Sequence, residues 1–464
     1  MKKCDGNRMK KEESCSVIMA RQEHGISRKL MSPNALRTLY RLKENGFLGY
    51  LVGGCVRDLL LGREPKDFDV VTNATPGEVK RMFRNCRLVG RRFRLAHIHF
   101  QDEIIEVATF RSLAANEPEP EPKEASGSDH RQRPPQMLKD DDGMILRDNV
   151  YGTPEEDALR RDFTINALSY NIADFSIIDY TGGLADLNAG IIRTIGDPAG
   201  RFQEDPVRML RAVRFAAQLA FTIEENTLKA LVAATDTIVR AAAPRLYEEM
   251  LKLFLSGEGA TCYGLLRQTG LFAALFPDFS SWLGAESEGF PHARFGEMLS
   301  YVDSRIQQGD KVSPPLLLAL LFGEYIDGKT AHFRQQGAPW QQSVNAAVAE
   351  FMGETCPIIM ISNRVGLALR DIISQQMRLK KIPGRRPESF IARPDFNDIV
   401  EYCRATCGDN KDVVKQLDWW AAQARQQAPV PLPSGVTEEA GAPQRKRKRR
   451  RRRNPQVKSR TEGV

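Results

Sequence analysis

The chain has 464 residues, 42% of them hydrophobic and 27% charged, which fits a soluble globular protein of two or three domains and excludes a fibrous or wholly unstructured chain. No stretch offers the roughly 20 apolar residues of a membrane span, and the opening MKKCDGNRMKKEESCSV lacks the apolar core of a signal peptide, so a cytoplasmic location is expected. The formal net charge is +8, yet residues 445–464 alone hold eleven basic side chains against one acid, so the remainder is close to neutral and the tail is the part suited to nucleic acid or another polyanion.

Residues 1–30 read as disordered. Ser32-Pro33-Asn34 opens a helix through Ala35 to Leu42, with apolar residues at helical spacing, closed by Asn45-Gly46. The densest stretch follows, Leu51 to Thr72: LVGGCVRDLLLGREPKDFDVVT. It predicts strand, glycine turn, short helix, turn and strand. Gly53-Gly54 lets the backbone turn and approach a ligand closely, since neither carries a Cβ. The helix from Val56 to Leu61 stops at Gly62, and Pro65 forces a turn into Asp67-Phe68-Asp69-Val70-Val71. Alternation along that strand puts Asp67 and Asp69 on one face and Phe68 and Val70 on the other. Paired carboxylates repel unless a cation lies between them, and Mg²⁺ takes one or two carboxylates plus substrate phosphates. A backbone turn upstream would offer N–H groups to a triphosphate.

Thr75-Pro76 starts a further helix, to about Phe83. In Cys86 to Phe100 the outer parts read as strands. The middle, GRRFRLAH, groups arginines around Phe93, a mix suited to phosphate and base stacking or simply to a solvated hairpin tip. His97 and His99 share a strand face but lack a third ligand, so a structural role is expected. Ile104 to Phe110 is a strand whose Glu106 is either a third metal carboxylate or a solvated edge residue. Residues 114–142, with alternating Glu-Pro, read as a flexible loop inside the first domain. Strand-like sequence resumes at Met144 to Asp148.

Glu155 to Leu168 (EEDALRRDFTINAL) begins a helix. Arg160 and Arg161 beside Asp162 would hold phosphate and metal together, or form an ion-pair network along the helix. Ile177 to Tyr180 is a short strand and Thr181-Gly182-Gly183 a turn. The second dense motif is EDPVRMLRAVRFAA, Glu204 to Ala217. Asp205 is expected to cap that helix with Pro206 at its first position. Asp205 and Arg208 match the edge of a base, Arg211 and Arg214 match phosphates, and the alternative is a charged helix face.

From about 221 onward the pattern is helical: 225–239, 244–255, 259–275, 291–307, 312–324, 341–353, 363–377, 395–406 and 411–426, with no strand pattern. Eight cysteines show neither Cys-x-x-Cys nor zinc spacing, as in a reducing cytosol. Cys403 and Cys407, one turn apart, suit a packed helix face. Arg378 to Arg386 (RLKKIPGRR) is basic enough to follow an RNA backbone. The expected division is a disordered start to 30, a head over 31–200, a helical neck over 201–275, an all-α body and tail over 276–428, and a disordered arginine-rich tail over 429–464.

LVGGCVRDLLLG with KDFDVVT, then RRDFTINAL, DYTGG and EDPVRMLRAVRFA, in this order and spacing, resembles the class II nucleotidyltransferases, the superfamily of bacterial CCA-adding enzymes and poly(A) polymerases. The resemblance covers roughly residues 20–425. It implies an α+β fold, a small head with a mixed β-sheet followed by an all-α neck, body and tail. It implies Asp67 and Asp69 as the Mg²⁺-binding catalytic pair, Asp162 as the third acid, and Gly53, Gly54, Arg57 and Arg161 at the triphosphate of ATP. Asp205 and Arg208 would read the base, with Arg211 and Arg214 nearby. GRRFRLAH and the arginine-rich tail resemble the poly(A) polymerase branch; the base-reading pair is common to both. The implied partners are RNA 3′ ends of mRNA and small RNAs, with decay proteins reached through the tail, and no DNA. The rivals are a CCA-adding enzyme and an RNA-binding adaptor with an inactive head.

Overall fold

The structure, a computed structural model, describes residues 16–90, 94–112, 138–139, 145–147, 151–285, 294–384, 386–408 and 410–427. The expected disorder of residues 1–15, the loop expected over 114–142, Arg91 to Phe93 and the arginine-rich tail lie outside the described residues, apart from Leu138–Lys139 within that loop, which pairs with Ile145–Arg147.

The head is built on an eight-stranded mixed sheet: β1 (Val17–Met19), β2 (Gly49–Val52), β3 (Asp69–Thr72), β4 (Cys86–Val89), β5 (Leu95–His99), β6 (Ile104–Thr109), β7 (Ser169–Asn171) and β8 (Ile177–Asp179). The order across the sheet is β1-β8-β7-β2-β3-β6-β5-β4. β3 and β6 run parallel and the other pairs are antiparallel. One face, carrying Leu51, Val70, Ile105, Val107 and Ile98, is buried under α1 (Pro33–Glu44) and a short helix at Pro76–Met82. The opposite face carries a smaller apolar cluster of Tyr50, Val52, Val71, Phe110 and Ile178. Asp69, Glu106 and His97 lie on this same face.

Local chemistry explains the elements that the sequence made legible. Ser32 accepts hydrogen bonds from the backbone N–H groups of Asn34 and Ala35, Pro33 occupies the first turn, and Ala35, Thr38, Leu39 and Leu42 are buried at helical spacing. Thr75 and Glu78 close a reciprocal capping box. The turn at Gly53 has φ 77° and ψ −134°, a conformation that side-chain-bearing residues rarely adopt, and it leads into α2 (Gly54–Leu60).

Three expectations are corrected. Residues 17–30 are not disordered: Val17–Met19 pairs with Ile177–Asp179 and completes the sheet edge. The helix expected over 155–168 ends early, as α3 (Pro154–Leu159); a turn at Thr164–Asn166 and strand β7 follow, because the chain must return to pair with β2. The second half is not free of strands, since Thr222–Ile223 pairs in parallel with Ile191–Ile192.

The region expected as a neck holds α5 (Val207–Leu219) and α6 (Ala243–Phe254), entered from α4 (Pro198–Glu204), with α5 buried at ten of its residues. The expected helix over 259–275 is broken at Gly270, which has φ 76°. The body gathers around Pro314–Gln335, longer than expected, whose Leu316–Phe322 stretch is buried on all sides by the helices Arg294–Gln307, Trp340–Thr355 and Asn363–Leu379. Short helices at Pro277–Gly284 and Pro387–Ile391 were not legible in the pattern. One apolar core runs from Ile26 in the head to Trp420 in the last helix, so head, neck and body share their packing.

Candidate active site

β3 sets the chemistry. Phe68 is 8% exposed and Val70 1%, whereas Asp67 and Asp69 face outward, as alternation requires. The two acids line a cleft of about 740 Å³ between head and neck. Its other walls include Gly53, Gly54, Arg57, Arg161, Asp162, Arg211 and Arg214. Most of the residues named by the sequence therefore meet in one place, although they come from β3, the Gly53 turn, the loop after α3 and helix α5.

The cleft is strongly polarised. Burial, the Glu106 charge beside it and the neighbouring Asp67 push Asp69 up to about 6, against the pull of Arg161 and Arg211. Two carboxylates in this position favour a cation between them. On the opposite wall the guanidiniums of Arg57, Arg211 and Arg214 lie 5.2, 5.2 and 4.3 Å from the Phe215 ring centroid. An aromatic face carries partial negative charge, so it lets three cations approach one another. Arg57 Nη1 donates to Asn166 Oδ1 at 2.7 Å, and Arg161 pairs with Asp157 at 2.9 Å. A Cβ on Gly53 would stand 3.4 Å from Arg161 Nη1, so the missing side chain keeps the turn open beside that guanidinium.

Asp162 lines the same cleft, with both oxygens occupied. Oδ1 accepts from the Phe163 N–H at 2.9 Å and from Asn166 at 3.3 Å, and Oδ2 accepts from Arg211 Nε at 2.7 Å. Burial works to raise its pKa, but Arg211 and these hydrogen bonds hold it at about 2. Glu106, the alternative that the residues alone left open, stands directly beside Asp69 in the parallel register. His97 is its neighbour on the other side.

Asp205 and Arg208, expected to read the base, do not line this cleft. Asp205 does not cap α5 with its side chain, because Arg245 takes both its oxygens at 2.8 and 2.9 Å. Arg208 donates to the Arg201 carbonyl at 2.8 Å and to Glu204 at 3.2 Å. Arg201 in turn donates to the carbonyls of Arg160 and Arg161, which ties α4 to the head. Sequence reasoning missed Asn166, Phe215 and Arg245. Phe215 was within reach, since Arg211 and Phe215 are one helical turn apart, and Asn166 stands in the quoted RRDFTINAL run, four residues after Asp162; Arg245 stands in a stretch without any signal. Among the described residues no group of three or more His, Cys, Asp or Glu side chains is arranged to hold a metal. No helix among them is long and apolar enough to cross a membrane.

Comparison with known proteins places the chain in a family. Three family profiles match: the poly(A) polymerase head domain over 49–193, a probable RNA- and SrmB-binding site of polymerase A over 220–283, and the polymerase A arginine-rich C-terminus over 336–455. Poly(A) polymerase I of Salmonella typhi is 42% identical over 409 residues, 87% of this chain and 85% of that protein. The CCA-adding enzyme of Bacillus velezensis is 34% identical over 259 residues, 55% of this chain and 59% of that protein. The crystal structure of the Bacillus stearothermophilus CCA-adding enzyme in complex with CTP superimposes with a TM-score of 0.52 at 26% identity, covering 85% of this chain and 83% of that one. On its length, its three matching regions and its site, the chain belongs to the bacterial poly(A) polymerase family of RNA adenylyltransferases.

Proposed function

We propose that the chain extends RNA 3′ ends without a template, transferring AMP from ATP and releasing pyrophosphate. The observation that carries this is Asp67 and Asp69 standing together at the edge of an arginine-lined cleft. In the reaction the RNA O3′ forms a bond to the α-phosphorus, the bond from that phosphorus to the bridging oxygen breaks, the hydroxyl gives up its proton, and pyrophosphate leaves. Arg57, Arg161, Arg211 and Arg214 bind the triphosphate and draw charge toward the leaving group. Gly53 and Gly54 let the backbone come close to it. Asp162 is a positioning residue in this account: it fixes Arg211.

The donor chemistry fits magnesium. Asp69 is crowded by the charges of Glu106 and Asp67, which a bound cation would relieve, and hard carboxylate oxygens with substrate phosphates make up the usual shell of magnesium. Asp67 and Asp69 would hold it, with Glu106 alongside; bound there, it supplies charge neutralisation at the reacting phosphate. Asp205 and Arg208 select adenine, with Arg245 and Glu204 setting their orientation. The RNA is held by the neck, body and arginine-rich tail, largely through its phosphates. The substrates are the 3′ ends of mRNA and small RNAs in the cytoplasm, the tails serve RNA decay, and the basic tail recruits decay proteins.

The test is substitution of the pair. Asp67→Ala and Asp69→Ala are expected to abolish AMP transfer in protein that keeps its circular dichroism spectrum. Turnover retained in either variant would refute the assignment.

A further inference from the structure

Asp67, just before β3, and Asp69, at its start, line two cavities. The second, of about 620 Å³, opens on the other flank of the strand and is also lined by Asp67 and Asp69, together with His97, Ile104 and Glu106. The two cavities differ in charge. Arg57, Arg161, Arg211 and Arg214 line the first, whereas among the described residues the second has Lys66, shared with the first, against five carboxylates. A triphosphate belongs in the first. Phosphoryl transfer brings the attacking and leaving oxygens roughly into line through phosphorus, so an attacking hydroxyl approaches from the side of the second.

Strand register gives this cavity one ordered link to the catalytic pair. Glu106 lies opposite Asp69 on β3 and opposite His97 on β5. Residues opposite one another in adjacent strands share a face. His97 Nε2 stands 3.4 Å from Glu106 Oε1, with the imidazole 22% exposed and the carboxylate 49%. A mostly covered ring thus steadies an acid that reaches into the cavity. Ile104, 49% exposed, adds an apolar edge suited to the face of a base.

We propose that this second cavity seats the 3′-terminal nucleotide of the RNA, and that His97 is its positioning residue, holding Glu106 beside Asp69 so that the terminal ribose meets the catalytic pair in a fixed place. The inference rests on the adenylyltransferase reading and names residues on the primer side of that reaction. His97 acts through Glu106 and need not touch the reacting atoms.

The test is steady-state extension of a short oligoadenylate primer by the full chain, with primer and ATP varied separately. His97→Ala is expected to raise the primer KM about tenfold, the worth of one charge-assisted contact, and to leave the ATP KM within about twofold. His97→Gln, which keeps a hydrogen-bond donor, is expected to recover most of the loss. RNA ending in 4-thiouridine should crosslink on irradiation to the peptide spanning His97 to Glu106. An unchanged primer KM in His97→Ala, an equal rise in both KM values, or a folded His97→Gln no better than His97→Ala would each overturn the role of His97. Crosslinks confined to other peptides would overturn the seat. Wild-type protein that adds no AMP to any primer would instead overturn the adenylyltransferase reading.

Discussion

Charge crowding at Asp69 makes a prediction about stability that runs opposite to activity. Its pKa rises from 3.8 to about 6, through burial first and then the charge of Glu106. An acid whose folded-state pKa is raised keeps its proton in the folded chain after the unfolded chain has lost it. Stability therefore falls as pH rises between about 4 and 6, and the full cost is present above pH 6. A shift of this size corresponds to at most about 3 kcal/mol. The side chain keeps solvent access, so screening reduces this to about 1 kcal/mol. Asp69→Asn removes the charge, and at pH 7.5 without divalent metal it is expected to raise Tm by ~1 °C in a cooperative unit of this size. The gain should shrink toward pH 5. Magnesium should raise the Tm of the wild type, by binding the folded state alone, and leave the variant unmoved. Differential scanning fluorimetry at pH 7.5 and 5.5, with and without magnesium, measures all of this. A variant that melts below the wild type at pH 7.5 in the absence of metal would refute the reasoning.

Further outcomes follow from single contacts. Gly53→Ala forces a side chain into a backbone conformation at φ 77°, which costs ~1–3 kcal/mol; it should also raise the ATP KM, read by steady-state kinetics, more than the primer KM. Arg245→Gln frees Asp205 from its two-point contact, and the ratio of ATP to CTP incorporation on one primer should fall about tenfold, the size of one charge-assisted pair. Deleting residues 440–464 should weaken RNA binding and flatten the dependence of log Kd on log salt, while single-turnover extension at saturating RNA stays largely intact.

What the sequence disclosed of the site depended on how local each arrangement is. Asp67 and Asp69 are two residues apart in an extended run that enters β3, so alternation alone put them on a face. Gly53 stood out because a tight turn between a strand and a helix needs its conformation. The helix periodicity of Ala35 to Leu42, with its Ser32 cap, carried over directly. The rest is long-range. Asp205 and Arg245 are forty residues apart, and only the packing of α6 on α5 brings them together. The nearness of Glu106 to Asp69 follows from a parallel pairing that no local pattern specifies. The helix was read on to Leu168 because the run follows a capped helical start, whereas the chain turns at Thr164–Asn166 and Ser169–Asn171 takes its strand form from pairing with β2. Edge strand β1 was missed for the same reason: Val17–Met19 has little amphipathic pattern, and its partner lies some 160 residues away in sequence.

The central claim is template-independent AMP addition to RNA, and primer extension tests it most directly. A generic single-stranded RNA and a tRNA lacking its terminal CCA would each be offered ATP or CTP separately with magnesium. The account predicts long tails from ATP on the generic RNA and little use of CTP. Addition confined to CCA on the tRNA would contradict it and assign the chain to the CCA-adding branch, and no addition by well-folded protein would leave an RNA-binding adaptor.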